Sequence, residues 1–249
     1  MSSSPSGPLR TDLEGTRDLS AQIADAIRAA IVAGTLRVDE RLPSEAELSD
    51  SFGVSRPTVR EALKRLAAQN LIRTQRGATG GAFVNRMTYE AAREGLVTTS
   101  TLLLSMNDVD FDTAVEARFA LEAACVPLAC ARRRDDNLAR MRDEITRQQD
   151  ESLSDEAFCA SDVAFHRALV DATGNPVLAY QLAGAVEAMQ PLMNMVTFTA
   201  RSRARISRKH QRIHLGLTNR DVPEVLANLA EIENYTRRIA AELREARAD

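Results

Sequence analysis

Residues 34–84 read GTLRVDERLPSEAELSDSFGVSRPTVREALKRLAAQNLIRTQRGATGGAFV. The stretch decides the fold because each of its segments carries its own start and stop. Ser44 stands where a helix cap is needed, with Glu47 three residues on to complete a capping box. Leu48 and Phe52 supply that helix with an apolar face, and Gly53 breaks it. Ser55 caps the next helix, whose first turn holds Pro57, where a missing N–H costs little. Val59, Leu63 and Leu66 recur on one side of it, and Asn70 ends it. Leu71–Arg76 and Ala82–Val84 then flank a Gly-rich tip, which predicts a two-stranded hairpin. Upstream, Leu19–Ala33 carries Ile23, Ile27 and Ile31 four residues apart, and Gly34 stops that helix. Arg41–Pro43 is an extended lead. Three helices with a short turn at Phe52–Ser55, followed by a hairpin, make a winged helix-turn-helix.

Outward from this stretch the chain changes character. Residues 1–17 read as a flexible tail, 18–85 as the winged domain, and 86–108 as a linker and first bundle helix. Residues 109–249 read as a second, helical domain. Helices are expected near 88–105, 109–133, 135–150, 154–173, 175–199, 202–219 and 222–247. Pro127 and Pro191 are expected to kink their helices or mark inner breaks. The fold class is mainly α: a winged helix-turn-helix followed by an all-α antiparallel bundle of six or seven helices.

Composition sets outer bounds. The chain has 249 residues, 44% hydrophobic and 27% charged, which fits a folded protein and excludes wholesale disorder. Thirty-two basic against 35 acidic residues give a net charge of −3, so a uniformly basic nucleic-acid coat is excluded. Aromatics are 4% with no Trp, too few for single-strand stacking platforms. No apolar run approaches the ~18 residues of a membrane span. Cys125, Cys130 and Cys159 form no C-x-x-C pair and read as buried thiols in a reducing, cytoplasmic compartment.

Charge is concentrated rather than spread. Between Arg56 and Arg76 lie six basic residues and one acidic one, Glu61. Arg56 and Arg60, four apart, share a helix face, and an Arg can hold guanine O6 and N7 bidentately. Ser55 and Thr58 can reach a phosphate or base edge, and Lys64 suits phosphate. Gly80 and Gly81 serve either hairpin geometry or a close approach to the DNA backbone. The rival reading is a solvated basic helix in an ordinary bundle. A second basic run spans Arg201 to Arg212.

In the helical region, Asp162 and His166 are an i,i+4 pair able to present carboxylate and imidazole to one metal. His210 follows on a later helix. The remaining histidine, His214, one turn beyond it, is a further candidate. Arg118 sits among apolar residues, and a buried Arg needs a partner. Glu122 offers one, and an effector carboxylate another. Tyr180, Met189, Met193, Asn194 and Met195 belong to a helix that lines a cavity or packs a core.

The stretch from Gly34 to Val84 resembles the N-terminal domain of GntR-family transcriptional regulators. The helical remainder resembles the FCD ligand-sensing domain of that family's FadR-type branch. The marks of that second likeness are Glu116–Glu122, Asp162–His166, Gly174-Asn175-Pro176, and His210 followed by Asp221. The resemblance implies a homodimer on double-stranded DNA bearing an inverted repeat. It matches the recognition arginines to Arg56 and Arg60, the polar contacts to Ser55 and Thr58, and a phosphate contact to Arg41. Ala46 stands where the family often has Arg. Metal-binding members hold the ion with an Asp and three His, and Asp162, His166 and His210 match the first three. The position of the last is Ile232, which cannot ligate. Two readings stay open: a divalent ion (Zn²⁺, Mn²⁺ or Ni²⁺) on fewer protein ligands, or a polar pocket without metal. Arg118 matches an arginine that meets organic acids, with Tyr180 and Asn194 as further effector contacts.

The function expected is a ligand-responsive transcriptional regulator, not an enzyme. It would be a repressor released from a palindromic operator by a small organic-acid or acyl-type effector, with no membrane partner. The rivals are a metal-dependent enzyme built on the bundle and an architectural DNA binder.

Overall fold

The computed structural model describes residues 18–77, 80–106, 109–189 and 202–248. They fall into two compact units, residues 1–88 and 89–249.

The first unit opens with α1 (Leu19–Val32), capped by the Asp18 carboxylate on the amides of Ser20 and Ala21. Next comes α2 (Glu45–Phe52), which begins with the capping box: the Ser44 amide donates to Glu47 at 2.7 Å, and the Glu47 amide returns to Ser44 Oγ at 3.3 Å. It ends on Gly53 in the left-handed region, φ 65°. Then α3 (Arg56–Ala68) starts on Ser55 with Pro57 in its first turn. Strands β1 (Ile72–Gln75) and β2 (Gly81–Val84) pair antiparallel, Ile72 opposite Val84 and Gln75 opposite Gly81. The extended lead joins this wing through a bridge from Arg41 to Phe83. Ile23, Ile27, Leu48, Val59, Leu66 and Val84, each at most 1% exposed, close the core between the helices and the wing.

The second unit has seven helices among the described residues: α4 (Tyr89–Met106), α5 (Phe111–Arg132), α6 (Asp135–Gln148), α7 (Asp155–Asp171), α8 (Pro176–Glu187), α9 (Arg203–Asn219) and α10 (Val222–Ala248). Fold class and architecture are those expected. Three details differ from expectation or lie beyond it. Pro127 lies inside an uninterrupted α5 instead of breaking it. The helix expected over 175–199 is described to Glu187, and Pro191 lies outside the described residues, as does the 1–17 tail. The linker-and-helix segment 86–108 contributes α4, which packs on α8 where Gly184 lets the helices approach: a Cβ there would stand 2.6 Å from Ser100 Oγ.

Helix ends in this unit are closed by side chains. Asn175 accepts from the Val177 and Leu178 amides to start α8. The C-termini of α5 and α9 are capped reciprocally. Arg133, just after α5, donates to the carbonyls of Leu217 and Thr218, at 2.7 and 2.6 Å. Arg220, just after α9, donates to those of Cys130 and Ala131, at 3.1 and 2.5 Å. Each exchange satisfies carbonyls that a helix end leaves open and places a cation at its negative pole. Cys125, Cys130 and Cys159 are buried and form no disulfide, and burial pushes the Cys125 thiol up to about 11. That makes it a packing residue, not a reactive one.

Because each unit has its own core, a core truncation should act on one unit alone. Leu66→Ala is expected to destabilise the first unit by about 2–5 kcal/mol. Calorimetry of the full chain should show that unit's transition lowered and the helical unit's unmoved.

Candidate functional site

On the first unit, α3 presents its basic face to solvent. The Arg60 guanidinium is held by Glu45 at the start of α2, through Nε at 3.1 Å and a terminal nitrogen at 2.7 Å. Lys64 pairs with Glu61 at 2.7 Å. Arg56 is exposed at the first turn. The hydroxyls of Ser55 and Thr58 are bonded to each other at 2.8 Å, and Ser55 also caps the Thr58 amide. These two side chains therefore build the start of α3.

Gly80 and Gly81 have geometric reasons to be glycine. A Cβ on Gly80 would overlap the Gln75 carbonyl oxygen and stand 2.8 Å from that of Gly77. Gly81 has φ +148°, and Arg41 Nε lies 2.9 Å from where its Cβ would be. Arg41 thus packs on the wing.

In the second unit, Asp162 and His166 on α7 meet His210 on α9. One ligand atom from each lies within 4.8 Å of the other two. Asp162 Oδ1 is 3.4 Å from His210 Nε2 and 4.0 Å from His166 Nε2. Donors about 2.1 Å from one tetrahedral ion stand about 3.4 Å apart. All three residues are at most 1% exposed. His166 Nε2 is buried without a hydrogen-bond partner while facing a carboxylate, which is the environment of a cation ligand. Phe165 stacks on the His210 ring at 3.9 Å.

Arg118 on α5 is 1% exposed, its guanidinium over the Phe119 ring and its Nε 3.9 Å from Glu122 Oε2. Glu122, fully buried, takes the His166 Nδ1 hydrogen bond. Gln148 on α6 accepts from His210 Nδ1 at 2.7 Å. Sequence reasoning saw Glu122 only as a partner for Arg118 and missed Gln148. The available signal was a Glu on the buried stripe of α5 with Val115, Phe119 and Val126.

His214 is not brought to the trio. One turn along α9, it reaches the Leu138 carbonyl with Nε2 at 3.1 Å. Ile232 is 1% exposed in the core. Tyr180 is half-buried at the seam of α8 and α4, edge-on to Tyr89 at 6.5 Å. Asn194, Met193 and Met195 lie outside the described residues, while Met189 is core. Among the described residues no helix is long and apolar enough to cross a membrane.

These two units match two known domains. The family model described as "Bacterial regulatory proteins, gntR family" matches residues 19–84, and that of the FCD domain matches residues 113–234. The chain is 32% identical over 177 residues to an Escherichia coli (strain K12) regulatory protein named for an L-lactate dehydrogenase operon, covering 70% of this chain and 66% of that one. It is 30% identical over 173 residues to the transcriptional repressor NanR of Cronobacter sakazakii (strain ATCC BAA-894), covering 65% and 61%. The chain thus spans about two thirds of the length of these relatives. A solved structure of a Streptococcus agalactiae GntR protein shares the fold, with TM-score 0.53 and 21% identity over 88% of this chain and 99% of that one. The chain belongs to the GntR family, with an FCD domain following its winged helix-turn-helix. It is a transcriptional regulator and not an enzyme, so the metal-dependent-enzyme reading falls.

Burial holds the His214 imidazole below its ordinary value, against the opposing pull of the Leu138 carbonyl. The unfolded chain then takes up a proton that the folded chain refuses. This contribution to stability is full above about pH 6.5 and is lost as pH falls through that value toward the folded pKa. His214→Gln should flatten that part of the stability–pH curve, measured by urea unfolding at a series of pH values.

Proposed function

We propose that the protein is a repressor that binds an inverted-repeat operator as a homodimer and is released by a small organic acid in the helical unit. The observation that carries this reading is the buried trio Asp162, His166 and His210. It would hold one divalent ion, Zn²⁺, Mn²⁺ or Ni²⁺, which would supply a Lewis-acidic point for an effector oxygen. Its ligands form a two-histidine, one-carboxylate set with positions left for other donors. Arg118, on the adjoining helix, would clamp the effector carboxylate. The Escherichia coli relative's name, which points to an L-lactate dehydrogenase operon, supports a small acid as the effector class. NanR's designation as a repressor supports the polarity. Tyr180 on α8 and Asn194, which lies outside the described residues, stay proposed effector contacts. The protein would act in the cytoplasm.

In the first unit, Arg56 and Arg60 would read base edges in the major groove, and Arg41, Ser55, Thr58, Lys64 and the wing glycines would contact or approach phosphate. The effector acts by binding one dimer geometry better than the other, a coupling of about 1–3 kcal/mol, or about 5- to 150-fold in operator affinity.

Two measurements test this. Arg60→Ala should weaken specific operator binding by about 1–3 kcal/mol and nonspecific binding much less. Unchanged footprinting affinity removes Arg60 from base readout. Operator affinity should drop when metal and the right organic acid are both present, for a dimer of about 55 kDa, twice 27.3 kDa. Arg118→Ala and His166→Ala should each keep DNA binding and lose that response. A full response from metal-free His166→Ala sinks the metal-bridged switch.

A further inference from the structure

Each histidine of the trio has a second nitrogen, and what holds it decides which atom faces the ion. His166 Nδ1 is hydrogen-bonded to a Glu122 carboxylate oxygen. An ionised carboxylate only accepts, so Nδ1 carries the proton. His210 Nδ1 meets Gln148 Oε1 at 2.7 Å. Gln148 Nε2 donates to Ser161 Oγ at 3.1 Å, and Ser161 donates to the Glu144 carbonyl at 3.3 Å. Since the amide nitrogen is committed to Ser161, the end facing His210 is the acceptor. His210 Nδ1 therefore also carries the proton. In that tautomer each Nε2 carries a lone pair in place of a hydrogen, and both face Asp162 Oδ1. His214 shows the opposite arrangement, donating from Nε2 to the Leu138 carbonyl.

We infer that Glu122 and Gln148 are positioning residues of the metal site, fixing both imidazoles in the Nδ1–H form so that two Nε2 lone pairs and the Asp162 carboxylate converge on one divalent cation. The inference rests on the metal reading of the trio. It assigns Glu122 more than the neutralisation of Arg118. A residue placed only to pair Arg118 would set its nearest oxygen on the guanidinium. Here the closer contact is to His166, while Oε2 is 3.9 Å from Arg118 Nε and makes no hydrogen bond. Partners of this outer kind commonly carry about 10–100-fold in metal affinity.

The test uses the full chain stripped of metal, with Co²⁺ alone as probe, followed by visible absorption and chelator competition. Glu122→Gln keeps an acceptor of the same shape but removes its charge. It is expected to bind Co²⁺ about 10–100-fold more weakly, with a shifted visible band. A variant that melts at a different temperature yet binds Co²⁺ with wild-type affinity and spectrum overturns the inference. A second measurement needs no folded variant at position 122. Long-range ¹H–¹⁵N spectra of the metal-free wild-type chain, labelled at histidine and kept mildly alkaline, should show two Nδ1–H imidazoles and one Nε2–H imidazole. The last is assigned to His214 through His214→Gln. An Nε2–H form at His166 or His210 overturns the inference. Wild-type protein that binds no Co²⁺ defeats the metal reading itself, and the positioning role with it. Wild-type binding matched by Glu122→Gln defeats only the positioning role.

Discussion

Two carboxylates taken out of water organise the helical unit. Asp162 and Glu122 are 1% and 0% exposed, and a buried ion costs several kcal/mol unless it is paired and hydrogen-bonded. The partners come from four helices: Arg118 shares α5 with Glu122, His166 shares α7 with Asp162, His210 comes from α9, and Gln148 from α6. Around them the packing is aromatic and aliphatic, with Phe165, Phe119, Ile213 and Ile206 nearly or fully buried. Such surroundings strengthen every charge interaction within them and leave no room for an unpaired one. The polar chain Arg118–Glu122–His166–Asp162–His210–Gln148–Ser161 is therefore a constraint on how α5, α6, α7 and α9 can be arranged.

The winged unit handles charge in the opposite way. Its ion pairs are on the surface: Arg60 with Glu45, Lys64 with Glu61, Arg65 with Asp18. Exposed pairs are worth little, about 0–1 kcal/mol. On the proposed base-reading role of Arg60, Glu45 would hold its side chain in place and still surrender it to a guanine edge at small cost. The helix that carries Arg60 is rigid for a different reason. Ser55 caps it, and Val59, Leu63 and Leu66 anchor it to the core. The basic face of α3 is loosely paired in its charges, while the helix itself is capped and packed on the core.

This division also explains what could be read from the chain alone. The winged fold was legible because its determinants are local: the Ser44 and Ser55 caps, the Gly53 stop, and the apolar spacing along α3. The Asp162–His166 pair was legible for the same reason, since four residues make one helical turn. His214 misleads because a turn also advances about 6 Å along the axis, enough for it to meet Leu138 instead of the trio. The roles of Glu122 and Gln148 were not legible, because their partners lie 44 and 62 residues away. No local spacing encodes such a meeting. At Pro127 a kink or an inner break was expected, and α5 runs on past it without a break, as tertiary packing can override local preference.

Ile232 bears on how the proposed switch would work. At the position where the family resemblance expects a fourth histidine, this chain buries an aliphatic side chain in the core beside α5 and α9. An aliphatic residue donates no electrons, so an ion on Asp162, His166 and His210 would have a protein shell with room for outside oxygen. A ligand shifts a conformational equilibrium only by its differential affinity for the two states. With four protein ligands, much of the ion's binding would be spent before any effector arrives. With three, more of the ion's bonding would depend on the effector, and Arg118, on the neighbouring helix, would take the other end of an acid. The substitution that weakens the site as a metal store would thereby strengthen the dependence of its geometry on the effector.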